Sequence, residues 1–140
     1  MLRIELHDWE SARAEASRIR LRVFVEEQRV PPEIEMDAND AVSVHALAYD
    51  GGKAVGTGRL LPDGHIGRMA VLREHRARGV GGAILVRLIA EARRQGIREV
   101  VLSAQTHALE FYRKHGFASS GGVYLEAGIP HQEMRLGLHP

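Results

Sequence analysis

The chain has 140 residues, 44% of them hydrophobic, so it is long enough to bury one core and too short for two ordinary domains. A formal net charge of +1 argues against a dedicated nucleic-acid binder, and the absence of cysteine excludes disulfides, thiolate metal sites and a cysteine nucleophile. We therefore expect a single domain over residues 1–140.

The N-terminus, MLRIELHDWE, has neither a long apolar core nor a small-residue cleavage site, so it does not resemble a secretory signal. No apolar run approaches the roughly 20 residues that a membrane-spanning helix requires. These observations predict a soluble cytoplasmic protein with no membrane partner.

The first predicted strand runs from Leu2 to Leu6, where apolar and polar residues alternate. Asp8 is placed to cap a following helix, and apolar residues at helical spacing carry that helix to about Phe24. Trp9 and the other apolar residues of this helix are expected in the core.

An acidic segment from Glu26 to Asp40 follows, with Pro31 and Pro32 in its middle. Tandem prolines break regular structure, so this segment is expected to be loop or short helix. If it borders a cleft, it would attract a cationic amine; a solvated surface loop is the alternative. Its carboxylates are Glu26, Glu27, Glu33, Glu35, Asp37 and Asp40.

Two strand-like runs, Val42 to Tyr49 and Lys53 to Leu61, are joined by Asp50-Gly51-Gly52, which is a strong hairpin signal. A third run, Ile66 to Leu72, follows a Pro-Asp-Gly turn. The pattern predicts a meander of three antiparallel strands.

A glycine turn then opens an amphipathic helix, VGGAILVRLIAEARRQ, which Gly96 is placed to stop. Exposed amides at a helix N-terminus attract anions, and glycines let a phosphate approach the backbone closely. A P-loop would need Lys-Ser/Thr where Ala83-Ile84 stands, and a dinucleotide fingerprint would need a small residue in place of Ile84. Neither nucleotide motif fits.

The C-terminal part begins with a short apolar strand from Glu99 to Ala104, which the intervening helix should leave parallel to the strand that starts at Ile66. Thr106 is predicted to cap a helix that ends at His115-Gly116. The runs Phe117 to Leu125 and Gln132 to Leu138 are predicted to close the fold as a hairpin. The whole order predicts a mixed α/β fold.

The segment Arg76-x-x-Gly79-x-Gly81 matches the R/Q-x-x-G-x-G/A signature of the GNAT superfamily of N-acetyltransferases, and it lies between a strand and a helix. Together with four further segments, which cover nearly the whole chain, it resembles the ElaA-like branch. Those segments are Arg22–Gln28, Ala104-Gln105, Phe111–Phe117 and Tyr124–His131. The resemblance implies a mostly antiparallel twisted sheet with one splayed parallel strand pair, flanked by helices.

Acetyl-CoA is the cosubstrate that this resemblance implies, and a small primary amine is the acceptor. The pantetheine arm would lie between the splayed strands and bond to the backbone of the first, at Met69 and Val71; the diphosphate would lie on amides from Arg78 to Gly82. The residues so assigned to acetyl-CoA are Met69, Ala70, Val71, Arg76, Arg78, Gly79, Val80, Gly81, Gly82, Gln105 and Phe111.

For catalysis the resemblance assigns Tyr112 as the general acid that protonates the CoA thiolate. It suggests Glu27 and His131 as the first candidates for the base, and His45 and His65 are less favoured candidates. The histidines show no metal-ligand spacing, so we predict no metal. A homodimer is expected by family analogy alone.

Two other interpretations are open at this point. A non-catalytic acyl-CoA-binding regulatory module would keep the groove and bind acetyl-CoA without turnover, but it would not need Tyr112. A nucleic-acid-binding protein would use the clustered arginines and show steep salt dependence, although the net charge and the 5% aromatic content argue against it. Those arginines are Arg73, Arg76, Arg78, Arg87, Arg93 and Arg94.

Overall fold

The computed structural model describes residues 1–32 and 37–139. Its strands are β1 (Leu2–His7), β2 (Val44–Asp50), β3 (Lys53–Leu60), β4 (Ile66–Val71), β5 (Glu99–Gln105), β6 (Ala118–Glu126) and β7 (Ile129–Gly137). Its α-helices are α1 (Trp9–Arg20), α2 (Val80–Arg94) and α3 (Leu109–Arg113), and a π-helical segment, Leu21–Glu27, continues α1. Short 3-10 turns lie at Ala38–Val42, Arg73–His75 and Thr106–Ala108.

The strands form two antiparallel sheets, which confirms the predicted mixed α/β fold. One sheet has the order β1-β2-β3-β4, so the predicted three-strand meander gains β1 at its edge. The other has the order β5-β7-β6, with the last strand of the chain in its middle. The two sheets meet where β4 and β5 run side by side in parallel, and that seam positions the site described below.

The core lies between α2 and the first sheet. Ile84, Leu85 and Leu88 of α2 are completely buried, as the helical spacing predicts. Two glycines of β3 allow the helix to approach this closely, because a Cβ at Gly56 would lie 2.9 Å from Ile84 Cδ1 and one at Gly58 would lie 3.0 Å from Ile84 Cγ2. Substituting either glycine would push α2 away from the sheet.

Asp8 caps α1 as predicted, since its side chain accepts a hydrogen bond from the Ser11 amide at 2.9 Å. The predicted end of this helix, near Phe24, is too early: helical backbone continues as the π-helical segment to Glu27. Glu27 is therefore held on a helix rather than in a loop. Residues 33–36, which carry Glu33 and Glu35 of the acidic segment, lie outside the described residues.

The prediction that Thr106 caps the helix after β5 is wrong. Thr106 begins a 3-10 turn, and among the described residues no side chain caps either this turn or α3. The Thr106 backbone carbonyl accepts from the Leu109 amide, so the chain passes from strand to helix through backbone hydrogen bonds alone.

The predicted start of the last strand, at Gln132, is also wrong, because β7 begins at Ile129 and includes Pro130. Proline usually marks a strand end because it lacks an amide proton. Here β5 pairs with β7 only as far as His131, opposite Gln105, so at Pro130 no β5 carbonyl requires a donor. A two-residue turn, Ala127 (φ 51°) and Gly128 (φ 76°), connects β6 to β7.

No helix within residues 1–32 and 37–139 has both the length and the apolar character needed to cross a bilayer.

Candidate active site

A cleft of about 940 Å³ opens between β4 and β5. The two strands are joined by one parallel bridge, His65 with Val101, and the Val101 amide donates to Gly64 O at 3.1 Å. Beyond this bridge they separate. All residues assigned to acetyl-CoA except Arg78 line the cleft, together with Tyr112 and His131 but not Glu27: Met69, Ala70, Val71, Arg76, Gly79, Val80, Gly81, Gly82, Gln105 and Phe111.

A bulge in β4 turns its backbone toward the cleft. Thr57 pairs with Ala70 and Arg59 with Gly67, so two residues of β4, Arg68 and Met69, stand opposite Gly58 alone. Arg68 has φ 50°, a conformation that few residues other than glycine adopt. A Cβ at Gly58 would lie 2.7 Å from Met69 Sδ, so a glycine at this position makes room for the bulge.

Past the bulge, alternate backbone groups of β4 face the cleft. The Leu72 amide donates to Val55 O at 2.9 Å, so Leu72 faces β3, and the neighbouring Val71 faces the opposite way. Val71 O indeed accepts a hydrogen bond from Arg76 Nε at 2.9 Å rather than from β3. The backbone of β4 thus offers polar groups to a molecule in the cleft.

The turn before α2 presents six consecutive amides. Ala77 (φ 62°) and Gly79 (φ 80°) are both left-handed, and α2 begins at Val80. From Ala77 to Gly82 no amide donates to an acceptor among the described residues; the first helical bond is Ala83 N to Gly79 O at 3.0 Å. Unpaired amides at a helix N-terminus, with the positive end of the helix dipole behind them, form an anion-binding cradle.

Arg76 connects this cradle to the other side of the cleft. Its guanidinium forms a bidentate ion pair with Glu27, with both N–O distances 2.9 Å, in addition to its bond to Val71 O. Arg76, predicted to bind the diphosphate, and Glu27, predicted as a candidate base, are therefore bonded to each other. Arg78 is exposed and does not line the cleft.

Tyr112 lies on α3 with its ring packed edge-on against Phe111 and Phe117, at centroid distances of 5.0 and 5.9 Å. Its hydroxyl bonds to no other described residue. Burial raises the pKa of Tyr112 to about 12, so at neutral pH the phenol carries its proton and can donate it into the cleft.

Gln105, at the end of β5, exchanges amide hydrogen bonds with Gln28 across the cleft: Gln105 Nε2 donates to Gln28 Oε1 at 2.9 Å, and Gln28 Nε2 donates back at 3.3 Å. His107 Nε2 also donates to Gln105 Oε1, at 2.7 Å. The sequence-based prediction missed Gln28, which carries no local signal because its partner is 77 residues away.

His131 is buried at the tip of the β6–β7 hairpin and lines the cleft. Its Nδ1 donates to Ile129 O at 2.7 Å, and its Nε2 lies 3.6 Å from the Glu126 carboxylate. The Tyr124 ring stacks on the imidazole at a centroid distance of 6.1 Å. Glu126 also lines the cleft and was not predicted as a site residue.

The two further candidate bases, His45 and His65, lie outside the cleft. His45 is buried beside Trp9 and donates from Nε2 to Asp40 O at 2.9 Å, and its burial lowers its pKa. His65 is exposed and bonds Asp63 at 3.0 Å. Neither borders the cleft.

The acidic segment is neutralised wherever the structure describes it. Asp40 pairs with Arg20 at 2.9 Å and with Arg59 at 2.9 Å, and Asp37 pairs with Arg59 at 2.7 Å and with Arg68 at 3.0 Å. Hydrogen bonding from Arg59 lowers the pKa of Asp37; for Asp40, burial opposes ionisation, but Arg20 and Arg59 together still lower its pKa.

The remaining described carboxylates of this segment are paired as well, Glu27 with Arg76 and Glu26 with Arg22. These four carboxylates therefore do not supply the unpaired negative charge expected to attract an amine. Within the described ranges no group of three or more His, Asp or Glu is arranged to hold a metal ion.

Comparison with known proteins identifies the family. The family model of the acetyltransferase (GNAT) domain matches residues 12–138. The chain belongs to the GNAT family. It is 45% identical over 120 residues to the uncharacterized N-acetyltransferase YjcF of Bacillus subtilis, an alignment that covers 83% of this chain and 86% of that protein.

Solved structures of similar proteins agree with the architecture. An acyl-CoA N-acyltransferase from Pseudomonas aeruginosa is 31% identical and superimposes with a TM-score of 0.86 over 96% of this chain and 99% of that one. Escherichia coli ElaA is 26% identical, with the same TM-score and the same coverage. This GNAT chain is therefore an acyltransferase enzyme with the acyl-CoA N-acyltransferase fold.

Proposed function

We propose that this GNAT enzyme transfers the acetyl group of acetyl-CoA directly to a primary amine of a small molecule. One observation carries the proposal: the six unpaired amides from Ala77 to Gly82 open at one end of the cleft between the splayed strands. A diphosphate on these amides directs the rest of CoA along β4 toward Tyr112. The volume of the cleft, about 940 Å³, lies at the upper end of the range for small-ligand sites.

In this placement the backbone of β4 holds the pantetheine arm through Met69 and Val71. Arg76 leaves Glu27 to form charge-assisted hydrogen bonds with the diphosphate. The Arg78 amide is one of the six, whereas the exposed Arg78 side chain lies outside the cleft and contributes only long-range attraction to the phosphates. Gln105 and Phe111 border the arm on the α3 side.

The reaction needs a neutral amine, a stabilised oxyanion and a protonated leaving group. The amine nitrogen attacks the thioester carbonyl carbon, and the oxyanion accepts hydrogen bonds from amides of the bulged strand near Met69. The carbon–sulfur bond then breaks, and the sulfur leaves as thiolate beside Tyr112.

Tyr112 acts as the acid, and its raised pKa determines whether it transfers its proton fully or donates a hydrogen bond. A thiol has a pKa of about 8.5, so full transfer from a phenol of pKa about 12 is uphill by roughly 5 kcal/mol. Tyr112 therefore stabilises the leaving sulfur by donating a hydrogen bond to it, and any proton it transfers is promptly replaced by the one that the amine loses.

Of the two candidate bases, His131 is better placed than Glu27. Glu27 is engaged in the bidentate pair with Arg76 outside the cleft lining, whereas His131 lines the cleft with Nε2 directed away from its backbone partner. We assign His131 as the base, and Glu27 as the partner of Arg76 when CoA is not bound.

The test is calorimetry with CoA and acetyl-CoA, followed by release of CoA thiol with a panel of primary amines. Tyr112→Phe should lower kcat about 100-fold while leaving acetyl-CoA affinity within a factor of two, as expected when a general acid is removed. Tyr49→Phe, a tyrosine on β2 outside the cleft, is the control and should leave kcat unchanged. No detectable binding of CoA or acetyl-CoA would overturn the proposal.

We further propose that residues 1–140 function as one cytoplasmic domain that binds neither nucleic acid nor membrane and needs no metal ion. Family analogy suggests a homodimer, which light scattering on the purified chain would test. Turnover that is unaffected by a chelator would support the absence of a metal requirement.

A further inference from the structure

Glu126 is the one carboxylate among the described residues that line the cleft. It ends β6 immediately before the Ala127-Gly128 turn, and the opposite strand brings Ile129 and His131 beside it. Both residues of the turn are left-handed, the geometry of a tight two-residue hairpin. The hairpin tip therefore projects one carboxylate and one imidazole into the cleft.

No arginine or lysine of the described chain pairs with Glu126. The nearest basic group is His131 Nε2, which forms an ion pair with Glu126 only when the imidazole is protonated, and 52% of the Glu126 side chain is exposed. This distinguishes it from Glu27, Asp37 and Asp40, each of which an arginine neutralises. Glu126 is thus the described cleft residue that supplies negative charge to a ligand.

His131 is held so that its second nitrogen faces Glu126. Because a carbonyl only accepts, the bond to Ile129 O fixes the proton on Nδ1 and leaves the Nε2 lone pair free in the neutral ring. The ring is locked by the stacked Tyr124, whose hydroxyl hydrogen-bonds Ser103 of β5. The separation of 3.6 Å between Nε2 and Glu126 Oε2 is too long for a hydrogen bond, so each acceptor retains capacity for a donor.

We propose that Glu126 and His131 together form the acceptor subsite, and that the acceptor is an alkyl ammonium ion without a carboxylate near its amine. The inference rests on the proposed function. An alkylamine has a pKa of about 10.4, so fewer than about 1 in 1000 molecules are neutral at pH 7. A subsite that binds the cation can therefore bind nearly every substrate molecule in solution. A carboxylate close to the amine would be repelled by Glu126.

The proton balance is complete within this pair and Tyr112. Glu126 binds R–NH3⁺, and His131 Nε2 removes one proton to give R–NH2, which attacks the carbonyl carbon. As the carbon–sulfur bond breaks, the nitrogen loses a second proton, which reaches the sulfur directly or by way of Tyr112. The products are the amide and CoA thiol, and the imidazolium returns its proton to solvent.

Kinetics test the assignment with propylamine and β-alanine as a matched pair that differs by a carboxylate. Wild-type enzyme should prefer propylamine by at least tenfold in kcat/KM. Glu126→Gln should raise KM for propylamine about tenfold or more, leave KM for acetyl-CoA within twofold, and reduce the preference over β-alanine. Glu133→Gln, the same change on β7 at a residue paired with Arg135, should alter none of these values. His131→Gln should lower kcat and remove the acid limb of the pH profile that an imidazole base produces.

Binding provides a measure that does not depend on turnover. Titrating the enzyme with propylamine in the presence of CoA should shift the ¹⁵N imidazole signals of His131, identified by their loss in His131→Gln, and Glu126→Gln should abolish that shift. An unmoved His131 signal in the wild type, or equal shifts in wild type and Glu126→Gln, overturns the inference. Failure of CoA to bind at all overturns the proposed function instead.

Discussion

The Glu27–Arg76 ion pair leads to a prediction with an unusual sign: removing the negative charge of Glu27 should tighten cofactor binding. In the structure Arg76 bonds Glu27 through both terminal nitrogens at 2.9 Å. Acetyl-CoA must break this pair if Arg76 is to reach the diphosphate. The substitution Glu27→Gln removes the competitor and leaves the arginine available.

The magnitude follows from how exposed the pair is. The Arg76 and Glu27 side chains are 41% and 27% exposed, so the pair is screened and contributes about 0.5 to 1 kcal/mol, the upper part of the range for surface pairs because it is bidentate. At 1.4 kcal/mol per tenfold, the dissociation constant of CoA should fall about two- to fivefold. Raising the ionic strength from 0.05 to about 0.5 M should shrink this difference.

Titration calorimetry with CoA measures the effect, and Glu26→Gln is the matched control. Glu26 is the adjacent carboxylate, lies 3.7 Å from Arg22 and does not contact Arg76, so its substitution should leave CoA affinity unchanged. Unchanged or weaker CoA binding by Glu27→Gln would refute the competition. The same variant settles the catalytic role: kcat should stay within about twofold, whereas loss of a general base would lower it about 100-fold.

Two further predictions concern stability. Asp40→Asn should lower the free energy of unfolding, measured by urea denaturation, by about 3 kcal/mol, because the buried guanidinium groups of Arg20 and Arg59 lose their shared counter-charge. The control, Asp63→Asn on the surface, should change the free energy of unfolding by less than about 0.5 kcal/mol. Hydrogen bonding by Arg94 and Gln95 lowers the pKa of Glu91 from 4.5 to about 2, so its ionised form stabilises the fold above pH 4.5 and that contribution is lost as the pH falls toward 2. Since Arg94 is 72% exposed, we expect Glu91→Gln to cost only about 1 kcal/mol at pH 7 and to match the wild type near pH 2; a constant difference across this range would contradict the assignment.

Local signals in the sequence predicted the elements that local interactions determine. Asp50-Gly51-Gly52 predicts its hairpin because both glycines adopt left-handed conformations, φ 62° and 86°, which other residues adopt at a cost. The glycine turn before α2 was predicted for the same reason. The cap at Thr106 failed because a residue type that favours caps does not require one when a 3-10 turn satisfies the backbone.

Contacts between distant parts of the chain could not be predicted in this way. The Glu27–Arg76 pair spans 49 residues and the Gln28–Gln105 pair spans 77, and no periodicity encodes either. Glu126 is different, because a signal for it was present. A two-residue turn at Ala127-Gly128 sets Glu126 opposite Ile129, two residues before His131, and identifying this turn from the sequence would have placed Glu126 near the imidazole.

One parallel bridge, between His65 and Val101, joins the two sheets. Beyond that bridge, no strand of the described chain pairs with the cleft-facing edge of β4: Val71 O accepts from Arg76 Nε, and the other cleft-facing backbone groups are left to water or to a bound molecule. In the proposed complex, the amide groups of the pantetheine arm make the hydrogen bonds that a neighbouring strand would make. In this complex, acetyl-CoA thus completes the edge of the sheet and is consumed and replaced in every catalytic cycle.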